Sequence, residues 1–191
     1  MKLNTHYIFS AGLISLVLSL FFKINFFNEI MIAFSISYIG NSVIDLAGHK
    51  EVTKDFRKML VRTEKTHTFP RSVAWGLLSS LPILLFVIFF SYYYLDLYGY
   101  IFFAYVTSII IAGIIVGPSH MLLDIFTEKG IYKKKDGQWA RFALAHRRFD
   151  DSLANGIASA LGILMFLFSI WQFYSNYILY IYHYLLHYFA L

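Results

Sequence analysis

The sequence predicts an all-α polytopic membrane protein, a single domain over residues 1–191 with about six transmembrane helices. Of its residues, 59% are hydrophobic and only 14% are charged, which is more apolar surface than a soluble domain buries. Apolar segments near the roughly 20 residues that cross a bilayer recur along the chain. The six segments are residues 7–22, 28–46, 72–95, 98–123, 153–173 and 176–190.

The distribution of positive charge predicts how this bundle is oriented. Of the 16 Lys and Arg residues, 14 lie within residues 50–71 and 129–148. Two predicted spans separate these stretches, so both face the same compartment, and the positive-inside rule makes that compartment the cytoplasm. The sequence therefore predicts a multi-pass protein of the cytoplasmic membrane with both termini in the cytoplasm.

The individual segments carry further signals. The first is kept as a membrane helix, because Phe21 and Phe22 stand where a signal-peptide cleavage site would need small residues. Residues 50–71 alternate in charge sign, which predicts an amphipathic helix on the lipid headgroups. Gly113 and Gly117 predict close helix packing in the fourth span. An aromatic belt is predicted where spans three and four approach the outer face: Tyr92, Tyr93, Tyr94, Tyr98 and Tyr100.

Two pairs of residues with four-residue spacing predict a metal site. His120 and Asp124 share one face of the fourth span, and Asp45 and His49 share one face of the second. Without cysteine, the chain has only His, Asp and Glu as strong ligands. The predicted topology brings ligand-type residues from five segments to one leaflet: His6, Asp45, His49, His67, His120, Asp124 and His146.

The alternative is a set of interfacial histidines that water and backbone carbonyls satisfy. His49 also fits a surface position, and His146 fits either a phosphate contact or plain solvation. His183 and His187 share a face among many tyrosines, which favours interfacial anchoring. If the site binds a divalent ion, expected to be Zn²⁺, the ion lowers the pKa of a bound water.

Other side chains are candidates for the chemistry around such an ion. Asp45 or Glu64 is the candidate proton acceptor, and Arg141 or Arg147 is the candidate phosphate ligand, since a guanidinium matches phosphate geometry. The alternative reading of the arginines is a topology signal that also binds lipid headgroups.

Several short motifs resemble those of the YdjM-like membrane-bound metal-dependent hydrolases. They are Thr5-His6, an acid near the end of the second span, Thr66-His67-Thr68, and Ser119-His120 through Asp124 to Thr127 with Gly130. The chain also resembles crenarchaeal membrane proteins with the same ordered motifs, including Ala145 to Asp150. The resemblance implies metal-dependent phosphoester hydrolysis. The chain departs from the family pattern at Arg62 and Glu64, where the family has histidine and glycine, and it keeps one acid, Asp45, of a pair.

Taken with the metal-type residues, the resemblance implies a membrane-bound hydrolase that acts at the cytoplasmic leaflet on a phosphoester or lipid-like substrate, such as a phospholipid or an isoprenoid phosphate. The rival is a non-catalytic membrane scaffold whose basic loops bind anionic lipid or a cytoplasmic partner. We expect membrane lipids as partners and no nucleic acid, and a homo-oligomer is compatible with the sequence.

Overall fold

The computed structural model describes residues 1–22, 24–54, 57–92 and 99–189. It is mostly helical, and within these residues five helices are long and apolar enough to cross a membrane. The helices are α1 (Leu3–Phe21), α2 (Phe26–Gly48), α3 (Phe69–Phe90), α4 (Tyr100–Asp124) and α5 (Ser152–Phe189). Large apolar side chains lie exposed on the outer faces, most densely on α3 and α5, as expected for surfaces that contact lipid.

Helix α4 is the centre of the bundle. It packs against α1, α2 and α3, while α5 packs along α1. Glycines set the closest approaches: a Cβ at Gly12 of α1 would overlap the carbonyl oxygen of Gly162 in α5, and one at Gly117 would overlap that of Ser72 in α3. The predicted close-packing role of Gly117 is therefore confirmed.

The described residues form five long helices and not the predicted six, because α5 is continuous. Residues 153–173 and 176–190 were expected to form separate spans, but Ser152–Phe189 is one helix of 38 residues. Residues 174–176 contain neither glycine nor proline, so nothing in the sequence breaks the helix there. Since α5 starts beside Lys2 and Thr5 and passes Glu29 at Ser169, residues 1 and 189 lie at opposite ends of the bundle.

The first basic loop is a β-hairpin and not the predicted amphipathic helix. Strand β1 (His49–Lys54) pairs antiparallel with β2 (Arg57–Arg62), in a register that places His49 opposite Arg62. Val52, Thr53 and Val61 are β-branched residues, which fit a strand better than a helix. The alternation of charges, taken as a helical pattern, is equally compatible with a strand.

The second basic loop holds another hairpin, with β3 (Ile131–Lys135) antiparallel to β4 (Gln138–Phe142). Asp136 and Gly137 form its two-residue turn with φ values of 48° and 81°, the left-handed conformations that such a tight turn requires. Both hairpins lie at the end of the bundle where α2 and α4 finish.

The predicted tyrosine belt is only partly covered by the described residues. Tyr92 and Tyr100 are exposed at the end of the bundle away from the hairpins. Tyr93, Tyr94 and Tyr98 lie outside the described residues.

Candidate metal centre

Five ligand-type side chains meet at the end of the bundle that carries the hairpins. His6 lies near the start of α1 and Asp45 near the end of α2, while His120 and Asp124 lie in the last turns of α4. His67 lies just before α3, where Thr68 caps the helix by accepting a hydrogen bond from the Arg71 amide. Asp45 is partly exposed, and the other four are buried.

The histidine Nε2 atoms all point at carboxylate oxygens. His6 Nε2 lies 3.3 Å from Asp124 Oδ1, and His120 Nε2 lies 3.3 Å from Asp124 Oδ2 and 3.4 Å from Asp45 Oδ1. His67 Nε2 lies 3.6 Å from Asp124 Oδ2 and 3.7 Å from Asp45 Oδ1. The atoms form two groups, His6 with His120 and Asp124, and Asp45 with His67 and His120. His120 therefore belongs to both groups.

These separations match the edges of a metal coordination shell. Ligand atoms about 2.0–2.1 Å from a tetrahedral zinc ion lie roughly 3.3–3.4 Å from one another. The observed spacings of 3.3 to 3.7 Å are close to that value. Three imidazole nitrogens and two carboxylates are also a donor set that zinc accepts.

The tautomer of His120 follows from its partner Asn41 on α2. The amide nitrogen of Asn41 donates to the Ser37 carbonyl at 2.8 Å and to Ser10 Oγ at 3.1 Å, which leaves its Oδ1 as an acceptor. His120 Nδ1 lies 2.8 Å from that oxygen and must be the protonated nitrogen. In the neutral ring, Nε2 is then the nitrogen that presents a lone pair to the carboxylates.

The tautomer of His67 follows from Thr66 by the same reasoning. The Thr66 hydroxyl donates to the Ile44 carbonyl at 3.0 Å, so it accepts from His67 Nδ1 at 2.8 Å. Burial lowers the pKa of His67, which keeps the imidazole neutral at pH 7. Hydrogen bonds that fix the remote nitrogen in this way are typical of metal-bound histidines.

When the imidazoles are neutral, with their protons on Nδ1, the lone pairs of Nε2 face carboxylate lone pairs at the centre of the site. The atoms without a protein hydrogen-bond partner include His6 Nε2, His67 Nε2, His120 Nε2, Asp45 Oδ1 and Asp124 Oδ2, all of them buried. Leaving such groups unpaired is costly, and acceptors facing one another at these distances also repel. A cation between them removes both costs, so the residues present fit a divalent metal ion.

Arg62, at the base of the first hairpin, completes the charge balance around Asp124. Its Nη2 donates to Asp124 Oδ1 at 2.7 Å, while its Nη1 donates to Thr127 Oγ1 and to the Gly130 carbonyl. The nitrogen of Met1 also donates to Asp124 Oδ1, at 3.1 Å, and burial lowers the pKa of this amino group. These donors occupy one carboxylate oxygen and leave Oδ2 for a cation.

The second hairpin covers this arrangement from the side. The Tyr132 amide donates to the His67 carbonyl at 2.7 Å, and its hydroxyl donates to the Arg62 carbonyl at 2.9 Å. The guanidinium of Arg71 lies over the ring of Trp139, with 4.8 Å to the centroid. Both hairpins thus hold residues of the site in place.

Other residues that were predicted as part of the site lie around the five clustered side chains. The ring of His49 packs edge-on to that of His67, and its Nδ1 donates to the Asp45 carbonyl oxygen at 2.6 Å. The imidazole of His49 therefore lies beside the two sets of possible metal ligands but belongs to neither. Glu64 is partly exposed, and its backbone carbonyl accepts from Arg71. Glu64 belongs to neither of the two sets of metal-type ligands.

The predicted phosphate ligands lie further out. Arg141 is exposed and donates to the Tyr132 hydroxyl at 3.4 Å, and Arg147 is exposed and pairs with Asp151 at 3.5 Å. His146 is exposed, with a φ of 47°. The backbone of His183 and His187 lies in the last part of α5, far along the chain from the site end.

Sequence reasoning missed two polar partners of the site. Arg62 departs from the motif of the family that the chain resembles, and its position opposite His49 in the first hairpin brings it to Asp124. Asn41 carried a local signal, because it lies one turn before Asp45 on the same face of α2. An amide buried in an apolar helix requires partners, which was reason enough to include it.

The model of one protein family matches residues 1–123; the family is described as a protein of unknown function, DUF1286. The matched segment contains His6, Asp45, His67 and His120 and ends immediately before Asp124. No curated protein and no solved structure matches the chain.

Proposed function

The chain belongs to the DUF1286 family of proteins of unknown function, and from its site we propose that it is a membrane-bound, metal-dependent hydrolase of a phosphoester. The observation that supports this most is the set of five buried ligand atoms without a protein hydrogen-bond partner, in which each histidine Nε2 lies 3.3 to 3.7 Å from a carboxylate oxygen. Structural zinc sites in proteins are commonly built from cysteine. Catalytic zinc sites more often use histidine and carboxylate ligands and keep one position for water.

His6, His67, His120, Asp45 and Asp124 would hold the ion, with Zn²⁺ as the proposed metal. A divalent ion in this position supplies a water of lowered pKa and positive charge for a phosphoryl oxygen. Asp45 is the proposed proton acceptor, because its side chain is 25% exposed while those of His67, His120 and Asp124 are fully buried. Arg62 keeps Asp124 oriented, so that Oδ2 stays directed at the ion.

The proposed location is the cytoplasmic side of the cytoplasmic membrane. Both basic hairpins and Lys2 lie at the site end of the bundle, and positive residues favour the cytoplasmic face. If all five helices cross the membrane, residue 189 is on the opposite side from residue 1, whereas the sequence predicts both termini in the cytoplasm.

Metal analysis of the purified protein tests the first half of the proposal. We expect stoichiometric zinc in the wild type and its loss in His120→Ala and Asp124→Ala. His146→Ala is the matched control, because His146 is an exposed histidine near the same end of the protein. Metal that is sub-stoichiometric in the wild type, or equal in all three variants, would refute a metal centre.

Turnover of a phosphoester panel in nanodiscs tests the second half. We expect hydrolysis that a chelator abolishes and added Zn²⁺ restores, and that Asp45→Asn lowers strongly even at zinc concentrations that saturate the variant. A metal-loaded protein without turnover on soluble and lipid phosphoesters would favour the rival role of a scaffold. The exposed Lys133, Lys134 and Lys135 of the second hairpin would then be the candidate contacts for anionic lipid.

A further inference from the structure

An apolar cavity of about 440 Å³ lies between α1, α4 and α5, next to the metal centre. Phe9 contributes from α1, Leu123 from α4, and Leu153, Ile157 and Leu161 from α5. The last three are spaced four residues apart, so they form one ridge of the helix. They are 64%, 54% and 49% exposed, and the cavity therefore opens toward the lipid that surrounds α5.

The inner end of this cavity lies beside the proposed metal site, with Met1 between them. Leu123 lines the cavity, and the next residue, Asp124, is a proposed ligand. Met1 also lines it, and the nitrogen of Met1 lies 3.1 Å from Asp124 Oδ1. Met1 is therefore the residue that links the cavity to the proposed ligand Asp124.

Arg147 is the charged residue of the cavity lining. Its backbone is held to the segment that follows α4: the Arg147 amide donates to the Phe126 carbonyl, and the Arg147 carbonyl accepts from the Glu128 amide. The guanidinium itself is 58% exposed and 3.5 Å from Asp151, a weak surface pair that an anion can displace. The cavity therefore combines apolar walls with one cationic side chain at its edge.

We propose that this cavity binds the hydrocarbon chain of the substrate, which is a single-chain or prenyl-type phosphomonoester entering from the bilayer past α5. This inference rests on the proposed function, and it names the part of the substrate that the metal centre does not hold. The phosphate lies between Arg147 and the metal centre, which fits a guanidinium as a phosphate ligand.

The reaction that follows from this placement is hydrolysis of the phosphate ester. Water oxygen forms a new bond to phosphorus, and the bond between phosphorus and the ester oxygen breaks. The proton of the water passes to Asp45 and then to the leaving alkoxide, so the products are a lipid alcohol, which stays in the membrane, and inorganic phosphate, which leaves to water.

Photo-crosslinking with dodecyl phosphate that carries a diazirine at its chain end tests the binding site without requiring turnover. The full chain is reconstituted in nanodiscs, illuminated, and digested for mass spectrometry. We expect the label on peptides that contain Phe9, Leu123 or Ile157, and we expect unlabelled dodecyl phosphate to displace it. Inorganic phosphate should displace it much less, because burial of the chain supplies most of the affinity.

The matched variants are Ala154→Phe and Ala160→Phe, both on α5. Ala154 lines the cavity, whereas Ala160 is exposed on the same helix outside it. If the new phenylalanine excludes only two CH₂ groups from the cavity, binding weakens about fifteen-fold. Labelling in Ala154→Phe should fall accordingly, while labelling in Ala160→Phe should equal that of the wild type.

The outcomes separate this inference from the proposed function. Label that is spread over lipid-facing peptides, or that dodecyl phosphate does not displace from the wild type, overturns the inference even if the protein hydrolyses phosphoesters. Equal labelling of both phenylalanine variants also overturns it. Displaceable labelling of the cavity in His120→Ala, which is expected to lack the ion, supports the chain-binding site whether or not the wild type shows turnover.

Discussion

Replacing Asn41 with leucine removes the hydrogen bond that sets the tautomer of His120. Leucine has nearly the same size but accepts no hydrogen bond, so the 2.8 Å contact to His120 Nδ1 is lost. The other groups around Asn41 keep partners: the hydroxyl of Ser10 bonds to that of Ser119, and the Ser37 hydroxyl donates to the Tyr7 carbonyl. The substitution therefore acts mainly on one ring nitrogen.

The expected magnitude follows from this single change. A buried N–H without an acceptor costs about 1–3 kcal/mol, so His120 moves its proton to Nε2, where Asp45 and Asp124 accept it at 3.4 and 3.3 Å. The lone pair that the ion needs is then absent. Loss of such an outer partner weakens metal binding about 10- to 100-fold, which corresponds to roughly 1.4–2.7 kcal/mol.

The assay is a zinc competition titration against a fluorescent chelator, with the protein in nanodiscs. Ser37→Ala is the control, because Ser37 lies one turn from Asn41 and does not contact His120. We expect its zinc affinity to stay within about threefold of the wild type. Unchanged affinity in a folded Asn41→Leu protein, or an equal loss in Ser37→Ala, would refute the tautomer argument.

Three further predictions concern stability. Removing the metal with a chelator should lower the unfolding temperature, and zinc at about 100 times its Kd should restore roughly 2.7 kcal/mol; equal melting curves would contradict a metal centre. Arg62→Met removes the guanidinium from Asp124 and leaves the Met1 nitrogen as a donor to Oδ1, so the metal-free protein should lose about 3–5 kcal/mol and the zinc-loaded protein less; equal losses would argue against shared neutralisation of Asp124. Gly12→Ala should cost roughly 1–3 kcal/mol because its Cβ would overlap the Gly162 backbone, whereas Gly156→Ala, with open space at its Cβ, should be neutral or stabilising by up to about 1 kcal/mol; equal effects of the two changes would contradict the close packing of α1 on α5.

Local patterns in the sequence were enough to predict the membrane class and most ligand-type residues. Hydropathy reports burial in lipid residue by residue, so the apolar segments were evident without a structure. The four-residue spacing of His120 and Asp124 depends only on helix geometry, and the structure places both at the same centre. Counting spans was less secure, because hydropathy marks apolar length and does not show whether a helix is interrupted, as α5 demonstrates.

Other features of the site depend on contacts between distant segments. Arg62 lies 62 residues from Asp124 in sequence, and it reaches that carboxylate only because β1 and β2 pair in a register that returns the chain to the end of α2. The tautomers of His67 and His120 depend on Thr66 and Asn41 having their own donors engaged elsewhere. The sequence by itself determined which groups are able to bind a metal ion, since that is a property of side-chain chemistry. Only the tertiary structure decided which of their atoms face one another without partners, because that follows from how separate helices and hairpins pack.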